Sequence, residues 1–371
     1  PGCGWMCAWG RVRRMAVMNA PLPVRWFAAL AIAWLVLFAG GAAAPTQAAD
    51  DAANEVAVAR QHWLRGRYAE GVEAYEKLLA EGQAEAAIGL ARCLAEQGQT
   101  AKATEVLEAA IARVDQHLPE APAPQPAGGD GKVQPLPVDL LADLYAELAW
   151  LQLGLGQSKA CDEHVIAALQ RLPDHLLARW VAAEREREQG QLKAAEDGYA
   201  WFVDFYNRQQ LRIRRPEDLR WVALGAAQAA RWQQRAFYFR FVVNRILPRA
   251  VELDADYWPA HYEAGRLFAE KYNAGEATRS FAAALEINPQ AADVYAASAA
   301  MDLESYNLDA ARRSLEKALQ IHPNLAAAHA LQARWHLANF DRPAAEVSLR
   351  KAIECHPADE AILGQLFALR L

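Results

Sequence analysis

The amino-acid sequence predicts an all-α protein, an α-solenoid built from repeated helical hairpins. Three prolines, Pro289, Pro323 and Pro357, each end a strongly helix-forming stretch, and consecutive prolines are 34 residues apart. Proline lacks a backbone N–H and clashes with the preceding helical turn, so it stops a helix. A fixed period of this size is typical of a solenoid whose unit is one pair of elements.

Other positions recur in step with the prolines. Small residues lie twelve and five positions before each proline, a bulky residue lies eight before it, and an aromatic residue recurs at the centre of the repeat. No convincing run of alternating apolar residues occurs, so β-strands are not predicted. The recurring sets are Ala277, Ala311 and Ala345; Ala284, Ala318 and Ala352; Phe281, Leu315 and Leu349; and Tyr272, Tyr306 and Phe340.

This unit resembles the tetratricopeptide repeat (TPR), a pair of antiparallel helices in 34 residues. The best copy is 258–291, which has Gly265 and Ala277 where the two helices cross and Phe268 and Phe281 between successive pairs. Small residues let helix backbones approach closely, and the aromatic rings then fill the groove. The resemblance implies a right-handed superhelix of helix-turn-helix units.

The frame of the repeats divides the chain into four parts. We expect an export signal with upstream residues, two N-terminal repeats, a Pro/Gly-rich disordered insertion and a main array with one atypical repeat. The predicted bounds are 1–49, 50–115, 116–139 and 140–371, with the atypical repeat at 218–257 and strong repeats at 258–291, 292–325 and 326–359.

The N-terminal segment has the order of an export signal. A lone Arg25 precedes an apolar run from Trp26 to Phe38, and small residues follow as far as Ala49. A run of this length is short for spanning a bilayer, so a cleaved signal is favoured over an uncleaved anchor. We therefore expect cleavage near Ala48 or Ala49 and a periplasmic or extracellular protein.

Charge and cysteine content exclude other classes. All 45 acidic residues lie at or after Asp50, whereas four of the 39 basic residues precede it, so the remainder carries a net charge of −10. An acidic balance argues against nucleic-acid binding. The three cysteines of this part are widely spaced, which does not indicate a disulfide framework.

The sequence contains no recognisable catalytic motif, and we predict no catalytic, cofactor or metal site. Phosphate-binding loops, nucleophile elbows and the HExxH zinc motif are all absent. His322, His329 and His336 are spaced by seven residues. Seven helical residues advance about 10 Å, which is too far for two imidazoles to share one ion.

The TPR resemblance implies that the first helix of each repeat lines a concave surface that holds an extended peptide. Family contacts come from the fifth and ninth places of the repeat, and the Lys and Asn that clamp a peptide carboxylate in some members are missing here. For Trp150 and Trp180 a packing role is the alternative. The candidate partner-binding residues at these places are Trp150, Trp180, Tyr262, Arg266 and Arg334.

An arginine-rich stretch adds three more candidates, Arg212, Arg214 and Arg215. Residues 208–249 contain ten arginines, no lysine and only Glu217 and Asp218 as acids. Guanidinium groups suit bidentate binding of carboxylate or phosphate. Ion pairing with neighbouring repeats and binding of an acidic partner both remain open.

We therefore expect an exported, non-enzymatic adaptor that holds a protein or peptide partner, an acidic one being an option. Membrane contact is expected only through the export signal or envelope partners. The alternative is a regulatory or substrate-presenting region of a larger enzyme, for example a metallopeptidase, whose catalytic domain lies beyond Leu371. A third class is a structural scaffold in a cell-envelope assembly.

Overall fold

The computed structural model describes residues 47–116 and 134–370, and Ala52–Leu371 form one compact unit. The regular elements in these two ranges are helices, which confirms the all-α prediction. The α-helices are α1 (Gln47–Leu64), α2 (Tyr68–Ala80), α3 (Ala86–Glu96), α4 (Thr100–Asp115), α5 (Leu140–Gly154), α6 (Ser158–Arg171), α7 (Leu176–Glu188), α8 (Leu192–Gln209), α9 (Pro216–Trp232), α10 (Ala236–Phe241), α11 (Leu247–Leu253), α12 (Trp258–Glu270), α13 (Ala274–Ile287), α14 (Ala292–Glu304), α15 (Leu308–Ile321), α16 (Ala326–Ala338), α17 (Arg342–Cys355) and α18 (Glu360–Arg370).

Most of the predicted export signal and most of the predicted insertion fall outside the described residues. These parts are 1–46 and 117–133. Within the described ranges, no helix combines the length and the apolar character needed to cross a bilayer.

The helices pair into antiparallel hairpins that stack into an α-solenoid, as the sequence predicts. The first helices of successive hairpins are α1, α3, α5, α7, α9, α12, α14 and α16, and their partners follow directly in the chain. In the fifth hairpin the second helix is interrupted, because a π-helical turn at Val242–Ile246 separates α10 from α11. This irregularity lies in the segment 218–257.

Small residues lie where helices cross, both within a hairpin and between successive hairpins. A Cβ added to Gly265 would lie 2.4 Å from Cε1 of Phe281, and one added to Gly225 would lie 2.3 Å from Phe202. These distances are far below any real carbon–carbon contact, so only glycine admits the ring. Ala277 is fully buried at the equivalent crossing. The small residues that recur in the sequence therefore mark the places where helices contact each other, as expected.

The residue before each repeat proline has an extended backbone. Asn288, His322 and His356 have φ between −143° and −125° and ψ between 84° and 91°, and each follows the last residue of a second helix. Proline disfavours the helical conformation in the residue that precedes it. The regular prolines therefore end α13, α15 and α17 and turn the chain into the next hairpin.

The turn within each hairpin requires one residue in the left-handed region. Glycine takes this place at Gly66, Gly98, Gly156 and Gly190, with φ between 68° and 76°. In three later hairpins an aromatic residue takes it instead, with φ between 55° and 61° and with more than four-fifths of its surface exposed. These residues are Tyr272, Tyr306 and Phe340.

The solenoid coils far enough for its beginning to meet its end. The Tyr68 hydroxyl accepts a hydrogen bond of 2.9 Å from Nδ2 of Asn288, which is fully buried. Asn324 donates to the Gly98 carbonyl over 3.2 Å. We call this line of contacts the seam.

The seam continues in register beyond these two contacts. A Cβ on Gly156 would lie 3.5 Å from Pro357, and Arg187 pairs with Glu360 at 3.6 Å. When the contact moves one hairpin along the N-terminal side of the seam, it also moves one hairpin along the C-terminal side. The turn inside one hairpin thus rests on the proline loop that ends the hairpin five places later.

The tight contact at Gly66 in the seam predicts how much an added methyl group would destabilise the fold. A Cβ at Gly66 would lie 2.2 Å from Oδ1 of Asn288, whereas nothing lies within 4 Å of a Cβ at Gly190. Both glycines have φ of 72°. We expect Gly190→Ala to lower the free energy of unfolding by about 1–2 kcal/mol through backbone strain alone.

Gly66→Ala should lower the free energy of unfolding by about 1–3 kcal/mol more than Gly190→Ala, because it also displaces a buried hydrogen-bonded side chain. Urea denaturation of both variants, followed by circular dichroism, measures the difference. Equal destabilisation by the two substitutions would show that Asn288 is not held as described.

Candidate functional site: the concave surface

The first helices of the hairpins present charged side chains to the interior of the coil. In the N-terminal half, Arg60 of α1 donates to Glu217 of α9 over 2.8 Å and also binds Asp254. Arg92 of α3 binds Glu147 of α5, with Nε 3.1 Å from Oε1. The guanidinium groups of Arg60 and Arg92 thus bridge helices that are distant in the sequence.

A second group of ion pairs continues toward the C-terminal half. Arg220 of α9 donates twice to Oε1 of Glu263, at 2.9 and 3.0 Å, and the Glu263 side chain is buried. Arg266 donates to the other oxygen of Glu263 over 3.3 Å. A buried carboxylate held by two guanidinium groups is satisfied, because each of its oxygens accepts from one of them.

These cations control the ionisation of the acids between them. Burial alone would raise the pKa of Glu217, but the adjacent guanidinium groups of Arg60 and Arg92 hold that pKa below its ordinary value. Glu217 is therefore ionised at neutral pH. The N-terminal half of the concave surface is occupied by the protein's own ion pairs.

Two cavities adjoin this network. The larger, about 540 Å³, is lined by charged groups and by apolar rings, among them Arg92, Arg214, Trp63 and Trp221. The smaller, about 100 Å³, lies beside Trp150.

A third cavity lies farther along the array, between α12 and α14. It has about 210 Å³, and Arg266, Phe281, Ala300 and Glu304 are among its lining residues. Half of the Arg266 side chain is exposed there. Small residues at the neighbouring first-helix places, such as Ala300, leave this part of the concave surface open.

Trp150 and Trp180 contact neighbouring rings. The Trp150 ring lies 5.5 Å from Trp221 in an edge-to-face arrangement, and Trp180 is buried 5.8 Å from Tyr199. These geometries are those of packed aromatic pairs. Both tryptophans therefore have packing partners within the array.

Tyr262 and Arg266 lie together on α12. The guanidinium carbon of Arg266 is 5.6 Å from the centre of the Tyr262 ring, within the range of a cation–π contact. Arg334 is exposed on α16, two hairpins farther along. These three candidates share the C-terminal half of the concave side.

The three candidates of the arginine-rich stretch have different surroundings. Arg212 donates to the carbonyls of Gln134 and Pro135, so it holds the segment that leads into α5. Arg215 pairs with Asp143 at 3.1 Å and with Asp218 at 2.9 Å.

The third of these arginines, Arg214, is exposed and lines the larger cavity. Of the three, only Arg215 has a carboxylate within ion-pair distance among the described residues.

The interior network escaped the sequence analysis. Arg60, Arg92, Glu147 and Glu217 were not among the candidates, and only Glu147 had a visible signal, because it lies within a mostly apolar helix. Within the described ranges, no three His, Cys, Asp or Glu side chains are arranged to hold a metal ion.

The buried carboxyl of Glu96, the last residue of α3, lies near the seam. Burial, and then the proximity of Asp293, raise the pKa of Glu96 to about 8. Burial also raises the pKa of Asp293 and lowers the pKa of the facing His322. The carboxyls of Glu96 and Asp293 therefore keep their protons to a higher pH than free carboxyls do.

The raised pKa of Glu96 predicts a pH-dependent stability. In the unfolded chain this carboxyl loses its proton near its ordinary pKa of about 4.3, whereas in the folded protein it keeps the proton up to about pH 8. Between these values the folded state binds more protons, so the free energy of unfolding falls as the pH rises.

Urea denaturation at several pH values between 5 and 8 tests this sign. Glu96→Gln should flatten the fall, whereas the exposed Glu105→Gln on α4 should leave it as in the wild type. An unchanged slope in Glu96→Gln would contradict the assignment.

The comparisons with known proteins agree with this architecture. Residues 62–121 match the family profile described as tetratricopeptide repeat. The match falls on the N-terminal repeats, whereas the sequence argument relied on 258–359. No curated protein sequence matches the chain.

Three solved structures illustrate the likeness. The Cut9–Hcn1 hetero-tetramer of APC/C aligns at 15% identity and a TM-score of 0.51, over 85% of this chain and 55% of that one. A tetratricopeptide repeat protein from Parabacteroides merdae aligns at 16% identity and a TM-score of 0.44, over 82% and 99%. PilF of Pseudomonas aeruginosa aligns at 16% identity and a TM-score of 0.36, over 62% and 97%.

The likeness to Cut9–Hcn1 supports the fold, and this chain spans about half the length of that relative. The stacked hairpins, the glycines at their crossings and the matched profile lead to the same assignment. The fold of the described residues is that of a tetratricopeptide-repeat solenoid, and residues 62–121 match the tetratricopeptide repeat profile.

Proposed function

We propose that this chain is an exported adaptor that holds a peptide segment of a protein partner against α12, α14 and α16. The observation that carries the proposal is the open part of the concave surface beside Arg266, where a cavity of about 210 Å³ adjoins small first-helix residues. Repeat solenoids use such concave surfaces to bind extended chains.

The side chains on this surface favour an acidic segment. Arg266 and Arg334 are both exposed and lie on first helices two hairpins apart. Between them, Ala296 and Ala330 are buried and project no long side chain into the groove. An extended peptide could therefore lie over α14 and place acidic side chains against both guanidinium groups.

The N-terminal half of the concave surface supports binding less well. Its guanidinium groups, those of Arg60 and Arg92, are mostly buried in pairs with carboxylates, whereas half of the Arg266 side chain is exposed beside its contact with Glu263. The alternative of a catalytic region outside residues 1–371 receives no support from the family match or from the structural likeness. The tetratricopeptide repeat is generally a binding scaffold.

Peptide selection tests the proposed groove. A library of random peptides displayed on phage is selected on the wild-type protein, and the enriched peptide is titrated against variants. The double substitution Arg266→Ala and Arg334→Ala should weaken its binding at least tenfold, which is about 1.4 kcal/mol. We expect the enriched peptides to be rich in Asp and Glu.

A matched control uses two exposed arginines of second helices in the same region, Arg279→Ala and Arg312→Ala, which pair locally with Glu276 and Glu316. These should leave the affinity unchanged, and circular dichroism verifies the folding of both variants. Equal loss of affinity in the two double variants would place the binding surface elsewhere. So would enriched peptides whose affinity neither double variant changes.

Export is the second part of the proposal. It rests on the order of charge, apolar run and small residues before Asp50. When the chain is expressed in a Gram-negative host, N-terminal sequencing of the periplasmic protein should start within a few residues of Ala49. Retention in the cytoplasm with an intact N-terminus would contradict export.

A further inference from the structure

The outer surface of the fifth hairpin differs from the rest of this acidic chain. The segment 235–249 contains four arginines, three phenylalanines and a tyrosine but no acidic residue. It covers α10, the π-helical turn and α11 up to Arg249. We call its exposed side chains the basic face: Arg235, Phe237, Arg240, Arg245 and Arg249.

Helical periodicity separates the buried side chains of this segment from the basic face. Phe239, Val242, Ile246 and Ala250 are buried at spacings of three or four residues. The residues of the basic face lie outside this buried stripe and are exposed. Because these are second-helix positions, the basic face lies on the convex side, away from the ion pairs of the first helices.

The charges of the basic face are mostly uncompensated. Arg249 pairs with Glu252 at 2.8 Å. Among the described residues, Arg235, Arg240 and Arg245 have no carboxylate within ion-pair distance; the Arg235 guanidinium donates to the Tyr238 hydroxyl over 3.4 Å. On α8, the Tyr206 side chain lies near Arg245 and Arg249 and brings no negative charge to them at neutral pH.

Other arginines of the stretch 208–249 are neutralised by carboxylates of the next hairpin. Arg220 pairs with Glu263 and Arg231 with Glu270, each across a hairpin boundary. The arginine-rich stretch is therefore divided into an inner set that stabilises the array and an outer set that does not.

An exposed ring projects from the basic face. Phe237 is 69% exposed, and its ring lies 6.5 Å from that of Phe241, which in turn lies 5.5 Å from Tyr206. A large exposed apolar side chain beside unpaired cations is typical of helices that lie at the boundary of lipid headgroups and acyl chains. A convex surface fits a flat partner, whereas an extended peptide needs a concave one.

We propose that the basic face docks on a membrane surface that contains anionic phospholipid. The guanidinium groups of Arg240 and Arg245 bind lipid phosphates, and Phe237 inserts among the headgroups. This site is separate from the peptide groove, because it lies on the outside of α10 and α11 rather than on the first helices.

Hydrogen–deuterium exchange of the full chain with vesicles provides a local readout. Local measurement is needed because the apolar run 26–38 is itself able to enter any bilayer. Vesicles of phosphatidylcholine with 30% phosphatidylglycerol should slow exchange in 235–249 at low salt, and the protection should fall at high salt. Vesicles of pure phosphatidylcholine should give much less protection.

Charge reversal separates the basic face from general electrostatics. Arg240→Glu with Arg245→Glu should raise the lipid concentration needed for half-maximal protection of 235–249 at least tenfold. Phe237→Ser should also raise it. The control is Arg312→Glu with Arg313→Glu, two exposed arginines on α15, which should leave the protection as in the wild type.

Three outcomes would overturn the proposal: equal protection by both kinds of vesicle, an effect of the α15 control as large as that of the α10 variant, or protection by poly-L-glutamate without protection by anionic vesicles. The last outcome would assign the basic face to an acidic protein. Because none of these substitutions touches α12, α14 or α16, peptide binding in the groove can succeed or fail independently.

Discussion

The seam between the two ends of the coil is the contact on which the rest of the structure depends. Asn288 lies buried against Gly66 and Tyr68, more than two hundred residues away in the chain. Successive turn-to-loop contacts repeat this arrangement in register, so the advance of the coil per hairpin is fixed. A solenoid without such contacts is stabilised only by its nearest neighbours and flexes along its length.

Closure also explains why the interior is charged in one half and open in the other. In the N-terminal half the coil brings α1, α3, α5 and α9 around a common space, where Arg60 and Arg92 reach carboxylates of several helices. Buried ion pairs contribute little net stability, yet a mismatched arrangement leaves charges unpaired. The network therefore favours this arrangement of the hairpins over alternative arrangements that would leave charges unpaired. Beyond α12 the first helices carry small residues, and the space stays free.

The hairpins and their crossings could be predicted from the sequence, because their causes are local. Proline ends a helix wherever it stands, and residues such as Gly265 and Ala277 recur at the period of the unit. The seam could not be predicted, since nothing near Asn288 in the sequence indicates contact with Gly66. Arg215 shows the same limit: a run of arginines reveals charge, but the pairing of this one with Asp143 depends on the stacking of two hairpins.

The aromatic residues at three of the tight turns have a consequence for how such an array can grow. Where one coil rests on the next, as at Gly66, even a single carbon atom is excluded. Tyr272, Tyr306 and Phe340 occupy the corresponding edge of the upper coil with whole rings that point into solvent. Duplicating hairpins in the gene would therefore not lengthen the stack by simple iteration, because a third layer would first require these rings to be replaced by glycine.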